Sequence, residues 1–295
     1  MSTIEQSHAT GADPATVTVA VVGAGGKMGT RVSNNLAGSR FAIRYCESSP
    51  SGRERIEAAG RTVSDTDEAV VDADVVILAV PDTALGPVSE KVVPQLRPGA
   101  VVLTLDPAAA YAGLLQPRED IHYACAHPCH PSVFLERTSP EEWADTFGGI
   151  AAPQEVVAAL ESGDDAVRDL TREVVSTMYA PVVDVHWVTV EQLAYLEPTT
   201  VEVIGCMLGE FLAEVRETAV DKGIPRPAVE AMLYGHIFIA LTNGLRGSNP
   251  FSDACLRAMD YGREHVIKDD WKKVFEQSEL DRVICQMLDI DEIRR

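Results

Sequence analysis

The chain has 295 residues, of which 46% are hydrophobic, a length and composition typical of a globular protein with one large or two ordinary domains. Its formal net charge of −20 argues against nucleic acids and anionic membranes as partners, because a polyanion repels phosphates. No uninterrupted apolar run is as long as a membrane span, so we do not expect the chain to cross a membrane. The partner that we expect is a small-molecule substrate. Six cysteines without a CxxC pair predict reduced thiols in the cytoplasm.

The N-terminal part of the chain predicts an α/β fold. Residues 1–16 are polar and small, and we expect a loose tail there rather than a signal peptide. Strands are then predicted at 18–23, 41–47, 73–81, 100–106, 122–127, 148–152 and 180–186, with helices at 27–36, 51–60, 84–95 and 164–178. This alternation predicts a doubly wound parallel sheet, so we assign residues 17–187 to a Rossmann domain that binds NAD.

Beyond residue 187 the strand pattern gives way to a 3.6-residue periodicity, which predicts an all-α domain over 188–295. Helices are expected at 190–224, interrupted near Pro198, and at 226–245 and 252–276. The second of these helices is apolar on all sides and must be buried in this chain or in another. The pattern therefore predicts a domain that binds substrate and forms a homodimer.

A glycine cluster connects the first strand to the first helix. The sequence GAGGKMG, residues 23–29, has glycines at three-residue intervals. In dinucleotide folds such glycines turn the chain, admit a pyrophosphate and let the helix pack on the sheet. The helix N-terminus then offers free N–H groups to the phosphates. The residues predicted to contact NAD here are Gly23, Gly25, Gly26, Lys27, Met28 and Gly29.

Two further strand ends belong to the predicted cofactor site. The carboxylate of Glu47, at the end of the second strand, is suited to bind both adenosine ribose hydroxyls and to repel a 2′-phosphate, which favours NAD over NADP. The nearby Arg44 and Arg53 leave NADP open, and a solvated strand-end glutamate is the alternative. The sequence AVPD ends the strand 73–81, and its predicted cofactor contacts are Val80, Pro81 and Asp82.

The loop CAHPCHPS, residues 125–132, follows a strand at the edge where open α/β sheets bind ligands. We predict that His127 and His130 are catalytic, as a general base, a metal ligand or a donor to a substrate oxygen. A rigid turn with locally bonded histidines is the alternative. Substrate contacts are predicted for Ser132, for Asn243 and for Arg246, which could clamp a carboxylate in bidentate fashion.

Acidic residues of the first long helix provide the remaining candidates. Glu197 directly precedes Pro198, where the helix must be perturbed. A carboxylate beside freed backbone carbonyls suits a hard cation or a substrate hydroxyl, so Glu197 is predicted to be catalytic. Together with His127 and Glu202 it is also predicted to bind a divalent cation such as Mg²⁺.

These motifs together resemble a known family. The sequences GAGGKMG, HPCHPS and LEPTT, followed by a helical region, resemble the 6-phosphogluconate dehydrogenase-like superfamily and, within it, the D-apionate oxidoisomerase group. The resemblance implies an NAD-dependent oxidoreductase that acts on a CH–OH group of a branched sugar acid such as D-apionate, with migration of an acyl group. It also implies a divalent cation, with His127, His130, Glu197 and Glu202 as the available ligands.

One departure narrows the mechanism. The β-hydroxy-acid dehydrogenases of this superfamily carry a catalytic lysine near the start of the long helix, yet this chain has no lysine between His186 and Glu217. A histidine–glutamate or metal-assisted site is therefore favoured. Two alternatives stay open: a simple NAD(P)-dependent hydroxy-acid or prephenate-type dehydrogenase without migration, and a non-enzymatic NAD-binding sensor.

Overall fold

The fold is organised by one sheet of eight strands, in the order β3-β2-β1-β4-β5-β6-β7-β8. The computed structural model describes residues 16–295, so nearly all of the predicted tail, 1–16, lies outside the described residues. The strands are β1 (Thr18–Val22), β2 (Ala42–Cys46), β3 (Val63–Ser64), β4 (Val75–Leu78), β5 (Val101–Thr104), β6 (His122–Pro128), β7 (Gln154–Leu160) and β8 (Val182–Val188).

Helices cover both faces of this sheet and form the C-terminal region. The α-helices are α1 (Lys27–Leu36), α2 (Pro50–Ala58), α3 (Thr66–Val70), α4 (Asp82–Val92), α5 (Ala108–Tyr111), α6 (Pro140–Ala144), α7 (Asp165–Met178), α8 (Val190–Ala194), α9 (Met207–Asp221), α10 (Arg226–Leu245), α11 (Asp253–Val266) and α12 (Gln277–Leu288). A π-helix, Tyr195–Cys206, joins α8 to α9, and 3₁₀ turns lie at Val93–Gln95 and Trp271–Phe275.

The core lies on both faces of the central strands. Strands β4 and β5 are buried at every residue, as expected for strands covered on two sides. Successive residues of β1 alternate between the faces: Val19 and Val21 join one apolar cluster, and Ala20 and Val22 join the other. The prediction of an α/β fold with a doubly wound, mostly parallel sheet is therefore confirmed.

Strand direction changes after β6. Strand β7 runs antiparallel to β6, and β8 runs parallel to β7, so these two strands oppose the rest of the sheet. The predicted strand at 148–152 is wrong. Gly148 and Gly149 have φ values of +79° and +83°, which are incompatible with extended L-residue backbone, and β7 begins only at Gln154.

The reversal of β7 and β8 determines where the following helix begins. Strand β8 ends at the sheet edge opposite the carboxyl ends of β1 to β6, and α8 starts there with a capping box of Thr189 and Gln192. Leu193 of α8 packs against Cys125 and Ala159 on the sheet. The π-helix continues α8 across Pro198, which lacks an N–H group, and reaches the edge where β6 ends.

The helices α9, α10 and α11 are packed very differently from the sheet. Of their residues, all within the described part of the chain, Val229 alone is buried. By length and composition α10 is apolar enough to cross a membrane, although Glu230 and His236 interrupt its apolar sequence. The last helix does not share this arrangement, since Leu280 and Ile284 of α12 are buried in the core on one face of the sheet.

Candidate active site

A cavity of about 370 Å³ opens at the carboxyl ends of β1, β4, β5 and β6. The strand order reverses between β1 and β4, and open α/β sheets bind ligands at such a position. The residues that line the cavity are Gly26, Lys27, Met28, Ala79, Val80, Pro81, Asp82, Leu105, Asp106, His127, Pro128, His130 and Phe147.

The glycine turn forms one wall of the cavity, and its glycines are required by the local geometry. Gly23 has φ = +84°, in the left-handed region. A Cβ atom on Gly29 would lie 2.0 Å from the carbonyl oxygen of Gly23, and one on Gly25 would lie 2.3 Å from that of Gly52. Gly26 is the N-cap of α1 and lines the cavity, so the free N–H groups of the helix face it. This geometry fits a dinucleotide pyrophosphate.

Glu47 is fixed beside the same turn. Its Oε2 accepts a hydrogen bond from the Gly25 N–H at 3.1 Å, and its Oε1 accepts one from the Ser49 N–H at 2.8 Å. The carboxylate is therefore held by the backbone, unlike a freely solvated strand-end glutamate. Its negative charge lies where the adenosine ribose binds in dinucleotide folds. Arg53 bonds to the Glu47 carbonyl oxygen rather than to its carboxylate.

The two predicted histidines reach the cavity together. Both line it, with ring centroids 6.2 Å apart. Nδ1 of His127 lies 3.2 Å from the Leu105 carbonyl oxygen, and Nδ1 of His130 lies 2.7 Å from that of Phe147. A carbonyl oxygen only accepts hydrogen bonds, so each Nδ1 carries the proton and each Nε2 keeps its lone pair. In its neutral form each ring therefore has the Nε2 lone pair available.

Two carboxylates converge on His127. Ligand atoms of Asp106, His127 and Glu197 all lie within 4.8 Å of one another. Asp106 follows β5 and accepts a hydrogen bond from the Ala108 N–H at 2.8 Å. Glu197 is 4% exposed, and its buried Oε2 has no hydrogen-bond partner within residues 16–295. An uncompensated carboxylate oxygen at this depth requires a proton or a cation.

The electrostatics of the site favour proton uptake by its acids. Burial, with the charges of Asp106 and Glu202, raises the pKa of Glu197 to about 10. Burial and the charge of Asp106 also raise the pKa of Asp82 to about 6. Burial, with the charge of His130, lowers the pKa of His127 to about 4, so this ring is neutral at pH 7. Two hard oxygens and a neutral imidazole fit a divalent cation, which would replace the proton held among the acids.

The predicted substrate residues do not line the cavity. The Ser132 hydroxyl accepts a hydrogen bond from the Phe134 N–H. The Asn243 amide donates to the Ile239 carbonyl oxygen and accepts from the Ser248 hydroxyl, so both of its polar ends are occupied. The guanidinium of Arg246 lies 4.4 Å from the ring centroid of Phe134. Their roles as substrate contacts stay predictions.

Asp106 is the site residue that sequence reasoning missed. It ends the sequence AVVLTLD, for which the local pattern predicts a strand and no role for the acid. The available signal was positional: Asp82 and Asp106 follow β4 and β5, and His127 lies at the carboxyl end of the neighbouring parallel strand β6. Carboxyl ends of parallel strands meet at one edge, so these side chains had to be close together.

Comparison with known proteins places the chain in a family. Residues 15–141 match the model for the NADPH-binding domain of acetohydroxy acid isomeroreductase, and residues 135–288 match the model for the C-terminal domain of decarboxylating phosphogluconate dehydrogenase. A D-apionate oxidoisomerase from Pectobacterium atrosepticum is 56% identical over 279 residues, which cover 94% of this chain and 98% of that protein. The chain belongs to the D-apionate oxidoisomerase family.

A second relative and a solved structure agree with this assignment. A D-apionate oxidoisomerase from Cupriavidus necator is 41% identical, covering 89% of this chain and 96% of that protein. A solved structure of a semialdehyde dehydrogenase NAD-binding protein from Cupriavidus necator, in complex with calcium and NAD, has 40% identity and a TM-score of 0.88 and covers 92% of this chain and 99% of that one. The chain is therefore an NAD-dependent oxidoreductase, which argues against the alternative of a non-enzymatic sensor.

Proposed function

We propose that this protein oxidises a branched sugar acid, D-apionate or a close analogue, with NAD, and couples the oxidation to a shift of a carbon–carbon bond. The observation that carries the proposal is the cluster of Asp106, His127 and Glu197 beside the glycine turn. These residues would supply the ligands of a cation, and Asp106 and His127 line the same cavity as the glycine turn. The family relationship, at 56% identity to a D-apionate oxidoisomerase, supports the substrate class.

The N-terminal part of the chain would hold the cofactor. The glycine turn and the N-terminus of α1 would bind the pyrophosphate, and Glu47 would accept the ribose hydroxyls. Val80, Pro81 and Asp82, at the end of β4, would contact the half of the cofactor nearest the histidines. When bound, NAD supplies the acceptor for the hydride that leaves the carbinol carbon of the substrate.

Asp106, His127 and Glu197 would hold the divalent cation, and Glu202 lies close enough to Glu197 to raise its pKa. When bound, such a cation polarises the hydroxyl and carbonyl oxygens of a substrate. The low pKa of His127 suits this role, because a metal ligand must be a neutral imidazole. Glu197 belongs to the π-helix and is 4% exposed, so its carboxylate would meet the cation away from bulk water.

His130 is the residue best placed to move protons. Its Nε2 lone pair is free because Nδ1–H bonds to the Phe147 carbonyl oxygen. In the oxidation it would accept the proton of the substrate hydroxyl as the hydride leaves the same carbon. In the isomerisation the neighbouring hydroxyl loses its proton, the migrating group moves with its bonding electrons to the carbonyl carbon, and the former carbonyl oxygen gains a proton. His130, after it has released the proton of the oxidation to water, would accept the proton of the neighbouring hydroxyl and deliver it to that oxygen.

We also propose that the protein functions as a homodimer in the cytoplasm, joined through the helical region. Helices α9 to α11 bury Val229 alone, and Met232, Phe238 and Leu245 of α10 are 62%, 59% and 68% exposed. Apolar surface of this extent typically marks an interface. Sedimentation tests the proposal, and a monomer at micromolar concentrations or co-sedimentation with lipid vesicles would contradict it.

The function can be tested with ¹³C-labelled D-apionate, NAD and the purified protein. We expect NADH to form and the labelled carbons of the product to show a changed carbon–carbon connectivity. A chelator should abolish turnover, and added Mg²⁺ should restore it. Absence of NADH formation would contradict the proposal, and oxidation with unchanged connectivity would instead indicate a simple dehydrogenase. Full turnover in the chelator would refute the role of the cation.

A further inference from the structure

A turn between α6 and β7 contributes Phe147 to the lining of the cavity. We call residues 145–152 the Asp145 turn. Oδ2 of Asp145 accepts hydrogen bonds from the N–H groups of Ile150, Ala151 and Ala152, at 3.1, 2.8 and 3.1 Å. One carboxylate oxygen thus closes the turn, which also contains two glycines in left-handed conformation.

Asp145 is buried, at 6% exposure, and has no direct contact with the cavity. Burial opposes its ionisation, but the surrounding N–H groups hold the pKa of its carboxyl below the usual range. It is therefore an anionic acceptor for several donors, and hydrogen bonds of this kind are stronger than those between neutral groups. The Asp145 carboxylate therefore stabilises one conformation of this turn.

The Asp145 turn carries the group that orients His130. The carbonyl oxygen of Phe147 accepts a hydrogen bond from the His130 Nδ1–H at 2.7 Å. The ring centroids of Phe147 and His130 are 4.4 Å apart. The backbone of His130 has φ = +59°, an uncommon conformation for a residue other than glycine. Such a backbone conformation persists only where the surrounding structure holds it.

The same turn is attached to the cofactor helix. Nη2 of Arg31, on α1, donates to the Gly148 carbonyl oxygen at 3.0 Å, and its guanidinium lies 4.1 Å from the ring centroid of Phe147. Phe147 and the first turn of α1 line the same cavity. The turn thus connects the wall that binds the pyrophosphate to the histidine that faces the substrate.

We infer that Asp145 is a positioning residue: by closing its turn it presents the Phe147 carbonyl to His130, fixes the Nδ1–H tautomer and directs Nε2 into the cavity. The inference rests on the proposed function for the role of His130 and adds a residue that does not touch the substrate. Its consequence is that the tautomer and turnover depend on a carboxylate outside the cavity.

The test compares Asp145→Ala and Asp145→Asn. We expect Asp145→Ala to lower kcat by roughly 10- to 100-fold, as expected for a misplaced catalytic group, while NAD affinity is kept. Asp145→Asn can place its amide oxygen at the Oδ2 position and should keep most of the wild-type kcat. Long-range ¹H–¹⁵N spectra, assigned with His130→Gln, should show one Nδ1–H tautomer in the wild type and a mixture in Asp145→Ala.

Asp164→Ala provides the matched control. Asp164 caps α7 through one bond to the Val167 N–H, at the end of the sheet remote from the cavity. It should lose thermal stability with unchanged kcat and an unchanged His130 spectrum. The inference is overturned if Asp145→Ala keeps the wild-type tautomer or if Asp164→Ala lowers kcat equally. A wild type that does not oxidise D-apionate would refute the proposed function, while the spectra would still decide the role of Asp145.

Discussion

The sheet and the helices α9 to α11 differ in how far their apolar side chains are buried within this chain. Every residue of β4 and β5 is buried within this chain, whereas α10 buries only Val229. Both regions are rich in apolar residues, so composition does not distinguish them. The difference supports the proposal that another surface covers the helical region, whereas the sheet region buries its own apolar residues. Glu197, on the π-helix between the two regions, joins them at the candidate active site.

The largest effect is expected at that junction. Glu197→Gln keeps the shape of the side chain but removes its charge, so we expect kcat to fall at least about 100-fold. NAD binding, which depends on the sheet region, should be unchanged. Steady-state kinetics and NAD titration measure the two effects. Glu191→Gln, an exposed residue of α8, is the control and should retain activity. Full activity of the Glu197→Gln variant would contradict a catalytic role for the Glu197 carboxylate.

The second prediction tests whether the helical region is an interface. Phe238→Asp places a charge at a side chain that is 59% exposed in the single chain. If a second copy covers it, the dimer should be weakened by about 3 kcal/mol, roughly a 100-fold increase in Kd. Sedimentation over a range of concentrations measures this change. Val71→Asp, at 50% exposure on the sheet region, should leave the assembly unchanged. An equal change of the dimer Kd in both variants would contradict an interface confined to the helical region.

A third, smaller effect is expected within the sheet region. Glu47→Gln removes the charge that repels a 2′-phosphate, and its backbone bonds to Gly25 and Ser49 limit any rearrangement. We expect the preference for NAD over NADP to fall by about tenfold, the scale of one hydrogen bond to a charged group. The ratio of kcat/KM with the two cofactors measures it. Glu54→Gln, exposed on α2, should leave the ratio unaltered. An unchanged ratio in Glu47→Gln would contradict the assignment of Glu47.

The smallest effect concerns pH and the protein without divalent cations. The pKa of Glu197 is raised from 4.5 to about 10, so between these pH values the folded state binds more protons than the unfolded state. Stability must then fall as pH rises through this window. We expect the Tm to decrease as the pH rises through this window and the slope to be shallower in Glu197→Gln. A Tm that is independent of pH in the wild type would contradict the buried state of this acid.

Local sequence rules predicted much of the fold and part of the site. The glycine turn, the strand ends and α10 follow from local patterns, and Pro198 drew attention to Glu197. The strand predicted at 148–152 was wrong, since the left-handed Gly148 and Gly149 outweigh the apolar residues that follow them. The reversed direction of β7 and the placement of Asn243 depend on long-range packing, which no local pattern encodes. Asp106 was missed because its role follows from its neighbours in space.

The reversed strands have a further consequence. Strand β8 ends at the edge of the sheet opposite the candidate active site. The length of the segment from Thr189 to Glu197 therefore determines where the Glu197 carboxylate lies. A helix turns by about 100° and advances about 1.5 Å per residue. Inserting one residue in α8 would therefore swing Glu197 away from Asp106 and His127, whereas exchanging one exposed side chain for another would not. The position of Glu197 therefore depends on the number of residues in this segment more than on its exposed side chains.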